Sequence, residues 1–154
     1  MKKNLKFKEI DKISQKIANF LEEGEVVVLI GDLGTGKTTF VQKLAKELGV
    51  TENLKSPTFN YVLEYYSGRM PLFHFDMYRI SDPEEVYEIG YEDYISGNGV
   101  SIIEWGDLIE SELPKEYIKI GLEYFDEGSR LVSLSYVGNK ERERELLLYV
   151  DINN

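Results

Sequence analysis

In the run Gly31-Asp32-Leu33-Gly34-Thr35-Gly36-Lys37-Thr38-Thr39, a lysine and a threonine stand at the spacing G-x-x-x-x-G-K-[ST], the pattern of a phosphate-binding loop. Glycines at these offsets let successive backbone N–H groups converge on an anion. A helix opening after them adds the partial positive charge of its N-terminus. Lys37 is then placed to meet the β- and γ-phosphates of a nucleotide, and the Thr38 hydroxyl is an oxygen ligand of the kind Mg²⁺ prefers. Two carboxylates complete the set. Asp76 closes the apolar run Phe73-His74-Phe75, and Glu104 closes Val100-Ser101-Ile102-Ile103. A carboxylate at the end of a buried strand can ligate the metal directly, hold it through water, or orient an attacking water. Spacing does not rank the two acids, and the plain alternative for each is a capping or ion-pairing role.

The elements that must position these groups are legible around them. Val26-Val27-Val28-Leu29-Ile30 is a short apolar run that reads as a buried strand leading into the loop. Phe40 to Leu48 is apolar at helical spacing and is closed by Gly49. Ahead of the strand, Ile10, Ile13, Ile17, Phe20 and Leu21 predict an amphipathic helix over 8–22, ended by Gly24. Residues 50–58 read as a loop, because Pro57 removes a donor and restricts Ser56. Thr58 in that loop is either a metal or γ-phosphate contact of the kind made by switch loops, or an ordinary turn hydroxyl. Phe59–Tyr66 and Met70–Phe75, joined by Ser67-Gly68-Arg69, read as an antiparallel hairpin. A plain Rossmann-like fold would place a helix there, so the sheet is expected to be mixed.

His74 is the single histidine, and a lone histidine in a strand reads as structural. Asp82-Pro83-Glu84-Glu85 has the form of a helix start, with Val86 and Ile89 as its apolar edge and Gly90 as its stop. Tyr91–Ile95 adds a further helical turn. Val100–Ile103 is a second candidate parallel strand. Ile118, Ile120, Leu122 and Tyr124 alternate, as do Val132, Leu134 and Tyr136, which predicts a second hairpin around Gly128. A short last helix is expected from Asn139 to Val150, with a strand as the alternative reading of its apolar run Leu146–Val150. Trp105, beside Glu104, has two destinations, a nucleotide base or the core, and the core is the commoner.

Composition narrows the function classes. One domain spanning 1–154 is the natural expectation at this length. Acidic residues outnumber basic ones 28 to 18, for a net charge of −10. Such a surface repels a phosphate backbone and disfavours unaided nucleic-acid binding, while it suits a basic partner. No cysteine is present, which excludes disulfides, thiolate metal sites and cysteine nucleophiles. The basic residues at the N-terminus have no apolar run behind them and do not read as a signal peptide. No apolar stretch is long enough to span a bilayer. A cytoplasmic protein is the expectation.

Taken in order, the phosphate loop, Ser56-Pro57-Thr58-Phe59, His74-Phe75-Asp76-Met77-Tyr78-Arg79, Asp82-Pro83-Glu84-Glu85 and Ile103-Glu104-Trp105 resemble the TsaE family of bacterial tRNA threonylcarbamoyladenosine biosynthesis proteins. The resemblance covers almost the whole chain. It implies an α/β protein with a P-loop NTPase-like three-layer fold and a mixed central sheet including antiparallel hairpins. It implies Mg²⁺-dependent ATP hydrolysis in support of tRNA modification, alongside two protein partners, TsaD and TsaB, with tRNA met only through the complex. Carried onto this sequence, Leu33, Gly34, Thr35, Gly36, Lys37, Thr38 and Thr39 bind the nucleotide. Thr38 and Glu104 hold the metal, and Lys37, Asp76 and Glu104 form the catalytic set. Thr58 falls in the switch-like loop. Two departures are mild: Thr35 stands where the family often has alanine, and Gly106 where many members have proline.

Three other readings compete. A Ras-like GTPase should carry Asn-Lys-x-Asp, and the nearest run, Asn139-Lys140-Glu141-Arg142, ends in arginine instead. A small-molecule kinase needs an acceptor pocket and a basic lid, and no such segment is evident. A nucleotide-sensing interaction module with negligible turnover would not need two acids.

Overall fold

Five consecutive residues of strand β2 (Val26–Ile30) are apolar because both faces of this strand are covered. Val27 and Leu29 point into one core and Val26 and Val28 into another, the period-2 alternation of a strand between two layers. The structure is a computed structural model that describes residues 1–57 and 60–151. Around β2 it builds a seven-stranded sheet from β1 (Lys2–Lys6), β3 (Val62–Tyr65), β4 (Leu72–Asp76), β5 (Val100–Glu104), β6 (Tyr117–Asp126) and β7 (Ser129–Val137). The spatial order is β1-β7-β6-β2-β5-β4-β3.

The four central strands, β6, β2, β5 and β4, run parallel. Each flank of this block is antiparallel, β7 and β1 on one side and β3 on the other. The sheet is therefore mixed, and both predicted hairpins form, as β3–β4 and β6–β7. Helices α1 (Phe7–Phe20), α2 (Lys37–Glu47) and α4 (Lys140–Tyr149) cover one face, with Ile13, Ile17, Val41, Leu44 and Leu146 in its core. Two 3-10 segments, Pro83–Ile89 and Gly106–Glu112, and the short helix α3 (Tyr91–Ile95) cover the other, through Val86, Tyr91 and Ile109. This is the three-layer arrangement expected.

Local chemistry sets the ends of the elements. Glu9 accepts a hydrogen bond from the Lys6 N–H at the start of α1. At its other end, the Arg69 guanidinium, from the turn between β3 and β4, donates to the Ala18 and Leu21 carbonyls. A cation at orphan carbonyls is the favourable sign for a helix C-terminus. Asn139 caps α4, its side chain accepting from Arg142 N–H at 2.9 Å. Arg142 then pairs with Glu25 and lies 3.7 Å from the Phe20 ring, fastening α4 to the end of α1. The run resembling a guanine-reading motif is thus spent on a helix cap and its anchor.

Three local differences from the sequence reading have physical causes. The N-terminus forms β1, antiparallel to β7, although only Leu5 of its five residues is buried. Lysines on an edge strand also guard it against pairing with another chain. The helix expected over 8–22 runs Phe7–Phe20. The segment opened by Asp82 is 3-10 rather than α, with Asp82 accepting from Glu84 N–H at 3.0 Å.

Gly106, the departure from proline, packs directly on β2. A Cβ at this position would run into Val28 Cγ1, inside any permitted contact. Val28 is fully buried and β-branched, so it has little freedom to yield. Gly106→Ala is expected to lower stability by about 1–3 kcal/mol through overpacking. Val28→Ala made in the same chain should recover part of that loss. A double-mutant cycle by urea unfolding checks this, and strictly additive effects would contradict it.

Candidate functional site

In parallel α/β sheets, ligands bind beyond the carboxyl ends of the strands. Here the loop after β2 and the ends of β4 and β5 meet at that edge. Leu29 pairs with Glu104, and Glu104 pairs with Asp76, so the carboxyl ends of three adjacent strands meet in one register row. This register brings the two acids to the loop, although Asp76 and Glu104 lie 39 and 67 residues after Lys37 in the sequence.

The loop itself turns through Gly34 at φ 80° and Gly36 at φ 102°, a left-handed conformation that side chains disfavour. Gly36 is the N-cap of α2, and its carbonyl accepts the first helical bond, from Phe40 N–H at 2.9 Å. Gly31 lies so close to the Leu122 carbonyl of β6 that no Cβ would fit. Thr35 is buried, and its hydroxyl donates to the Asp32 carbonyl at 2.9 Å, which stiffens the loop from within.

A cleft of about 520 Å³ opens over α2, lined by Gly34, Lys37, Thr38, Asp76, Glu104 and Trp105 among others. Leu33, Gly36 and Thr39 border it as well, so every expected site residue except Thr35 reaches this one space. Thr35 instead faces the loop and a second cavity behind it. Thr58 lies outside the described residues. Ser56, just before it, and Tyr78 and Arg79, just after β4, also line the cleft.

Glu104 is only 3% exposed, and both of its carboxylate oxygens are engaged. Oε1 accepts from the Thr38 hydroxyl at 3.2 Å, and Oε2 meets His74 Nε2 at 2.6 Å. Lys37 is also buried, at 5% exposure. Its Nζ donates to the Gly31 carbonyl and, at 2.9 Å, to the Asp32 carbonyl, and it lies 4.2 Å from the centre of the Trp105 ring. Burial pulls the Lys37 ammonium below the usual lysine range, while Glu104, Asp76, Asp32 and Asp107 hold it up. Asp76 accepts from Tyr78 N–H at 3.0 Å. Burial pushes its carboxyl above the usual range; the Tyr78 bond opposes the rise, the neighbouring Glu104 adds to it, and His74 and Lys37 oppose it.

Trp105 is partly buried, packing against the core beneath this face of the sheet while also lining the cleft. Its backbone is left-handed at φ 60°, held by a bond from its N–H to the Leu29 carbonyl at 3.1 Å. Its ring lies 4.9 Å from that of Tyr78. Such a conformation is uncommon for a bulky residue and here turns the indole toward Lys37.

These groups suit a magnesium nucleotide. Among the described residues no cluster of three or more His, Cys, Asp and Glu side chains is arranged to hold a metal by itself. Mg²⁺ characteristically binds through one or two carboxylates together with substrate phosphates. Glu104 and the Thr38 hydroxyl are hard oxygen donors side by side, beside a glycine loop shaped for phosphate. Two carboxylates facing a polyphosphate would repel it without a cation between them.

Two features were not read from the sequence. His74 touches Glu104, a contact whose only prior signal was the shared parity of His74 and Asp76 on one strand. The second cavity, about 400 Å³, lies behind the loop and is lined by Phe7, Ile10, Phe40, Lys43, Leu122 and Arg130. It shares Gly34, Gly36 and Thr39 with the cleft, so the two spaces adjoin across the loop. Its residues come from four distant parts of the chain and carry no local pattern.

The fold and the loop together define the class: a P-loop NTPase-like α/β protein with a mixed sheet. Comparison with known proteins then gives the family. Residues 5–132 match the family model described as threonylcarbamoyl adenosine biosynthesis protein TsaE. The tRNA threonylcarbamoyladenosine biosynthesis protein TsaE of Bacillus subtilis (strain 168) is 40% identical over 132 residues, 86% of this chain and 82% of that one. The protein of the same name from Treponema pallidum (strain Nichols) is 43% identical over 119 residues, 77% of this chain and 87% of that one. The crystal structure of Bacillus subtilis YdiB superposes with a TM-score of 0.78 at 32% identity, covering 99% of this chain and 97% of that one. The chain belongs to the TsaE family.

The raised Asp76 carboxyl has a stability consequence. Its ionised form is disfavoured by folding, so the charge costs stability once the pH lies above the ordinary carboxylate range. Asp76→Asn keeps an oxygen for the Tyr78 N–H and removes the charge. The ligand-free variant is expected to melt above the parent at neutral pH, with the difference fading in acid. Calorimetry across pH checks this; a lower melting temperature at pH 7 would contradict it.

Proposed function

We propose that this protein binds ATP with Mg²⁺ in the loop cleft, hydrolyses it, and by that cycle supports formation of threonylcarbamoyladenosine in tRNA. The observation that carries the reading is the convergence of Lys37, Thr38, Glu104 and Asp76 on one cleft over a glycine loop. The membership in the TsaE family supports the tRNA-modification part.

In this reading the loop N–H groups and Lys37 bind the phosphates. Lys37 leaves the Gly31 and Asp32 carbonyls to do so. Thr38 and Glu104 hold Mg²⁺, which, when bound, neutralises charge on the transferred phosphoryl group. Asp76, partly buried at the end of β4 with its carboxyl held above the usual range by burial, orients the attacking water. The cavity behind the loop takes the nucleoside. Its Phe7 and Phe40 rings offer apolar surface for a base, and Arg130, 5.1 Å from the Phe7 ring, offers a planar cation beside it. No guanine-reading motif borders it, which supports adenine.

The protein works with partners, TsaD and TsaB. A net charge of −10 supports this, since tRNA phosphates would be held by other chains. No helix among the described residues is long and apolar enough to cross a membrane, in keeping with work in the cytoplasm. Asp76, Tyr78 and Arg79 line the cleft, and this segment together with Thr58 links nucleotide state to the partner contact.

Two experiments test the proposal. Lys37→Ala and Thr38→Ala are each expected to abolish measurable ATP hydrolysis with an unchanged circular dichroism spectrum. Parental turnover in either variant would remove the loop from the mechanism. Mixing the protein with ATP, purified TsaD and TsaB, tRNA and an activated threonylcarbamoyl donor should raise its ATPase rate and sustain multiple rounds of threonylcarbamoyl transfer. Nucleotide binding without turnover in any mixture would favour a sensing module instead, and a GTP preference would contradict the base assignment.

A further inference from the structure

His74 is fully buried, yet it stands on the face of the sheet that carries the candidate metal site. It lies two residues before Asp76 on β4, so both side chains project to the same side. Its register partner is Ile102, and Glu104 stands two residues further along β5. Glu104 is therefore the diagonal neighbour of His74, within reach of a long side chain. The ring closes that diagonal, with Nε2 2.6 Å from Glu104 Oε2. The opposite nitrogen, Nδ1, has no hydrogen-bond partner and is equally buried. A proton on Nδ1 would have no acceptor there; a proton on Nε2 has a carboxylate oxygen. The carboxylate is divided accordingly, Oε2 toward histidine and Oε1 toward the Thr38 hydroxyl at 3.2 Å.

We propose that His74 is a positioning residue for the cation site: its Nε2–H binds Glu104 Oε2, fixes the carboxylate in one rotamer, and leaves Oε1 as the oxygen presented beside Thr38. The proposal rests on the magnesium-nucleotide reading given above. Without the ring, Glu104 would keep its burial but lose the partner that orients it. Partners of metal-ligating carboxylates act in this way, and losing one typically weakens metal affinity or activity by about 10- to 100-fold.

The test is calorimetric titration of ADP into the full-length protein, with Mg²⁺ and with chelator, for the parent, His74→Leu and His74→Gln. His74→Leu is expected to lose about 10-fold or more of the affinity gained from Mg²⁺ while binding metal-free ADP as the parent does. His74→Gln, which keeps an N–H donor, is expected to recover most of that gain. Parental behaviour of His74→Leu overturns the proposal. So does an equal loss with and without Mg²⁺ that glutamine fails to rescue, because that pattern means packing alone. If the parent itself shows no gain from Mg²⁺, both this inference and the magnesium-nucleotide reading fall. A measurement on the unsubstituted ring holds even if the leucine variant does not fold. With one histidine in the chain, its ¹⁵N-labelled imidazole gives a single set of NMR signals. A slowly exchanging Nε2 proton that moves on Glu104→Gln supports the proposal, and a proton found on Nδ1 alone overturns it.

Discussion

A carboxylate withdrawn from water at the end of β5 governs the local architecture. Burying an ionised group is costly unless hydrogen bonds and opposite charge replace its hydration. Glu104 has His74 on one oxygen and Thr38 on the other, with the Lys37 ammonium in the same cleft. Each of these partners needs its own element held in place. His74 requires β4 in register beside β5. Thr38 and Lys37 require α2 to start where it does, which requires Gly36 in its left-handed conformation. The apolar layers on both sides of the sheet stabilise a scaffold on which this polar row can stand.

Parallel pairing explains why the polar row forms at all. Strands β2, β5 and β4 all run the same way, so their carboxyl ends share one edge and Leu29, Glu104 and Asp76 share one row. An antiparallel β5 would have carried Glu104 to the opposite edge, away from the loop. The antiparallel additions are confined to the flanks, where they do not disturb this convergence. On one flank they do contribute, since β6 packs its Leu122 carbonyl against Gly31 and the β7 residue Arg130 borders the cavity behind the loop.

What the sequence made legible was what lies close together in the chain. The phosphate loop, its leading strand and its helix form one continuous stretch, and each hairpin has its own turn. Asp76 and Glu104 were readable as strand-end acids, but their rank depended on register between strands 28 positions apart, which no local pattern encodes. The structure makes Glu104 the more buried and the one bound to Thr38, and leaves Asp76 at the side with a backbone bond from Tyr78. His74 looked structural for the same reason: its partner is diagonal across a strand pair. The strand Lys2–Lys6 was unreadable because its stability comes from pairing with β7, and only Leu5 carries an apolar signal. For Trp105 the residue type left two destinations, core or nucleotide, and the structure gives it both: it packs against the core, and its left-handed backbone, invisible in the sequence, brings it to the edge of the cleft.

The strain and the buried charges are unevenly distributed, and their distribution is informative. Beyond glycine, left-handed backbone occurs at Tyr61 and Trp105 among the described residues. Tyr61 accepts the Asp76 N–H through its carbonyl at 2.9 Å, so both strained residues hold the backbone at the ends of the two acid-bearing strands. Lys37 is pulled down by burial and Asp76 is pushed up by it, around the same cleft. None of these features serves a sheet that only needs to fold, because apolar residues in place of Lys37 and Asp76 would remove the buried charges and glycine at 61 and 105 would remove the backbone strain. Costs of this kind persist where a ligand offsets them on binding. A cation between Glu104, Thr38 and a phosphate would offset the crowding of the two carboxylates, and phosphate oxygens would give Lys37 an anionic partner in place of two carbonyls. On the proposed reading the cleft is least stable when empty, and the residues that make it costly are the ones that would hold the nucleotide and its metal.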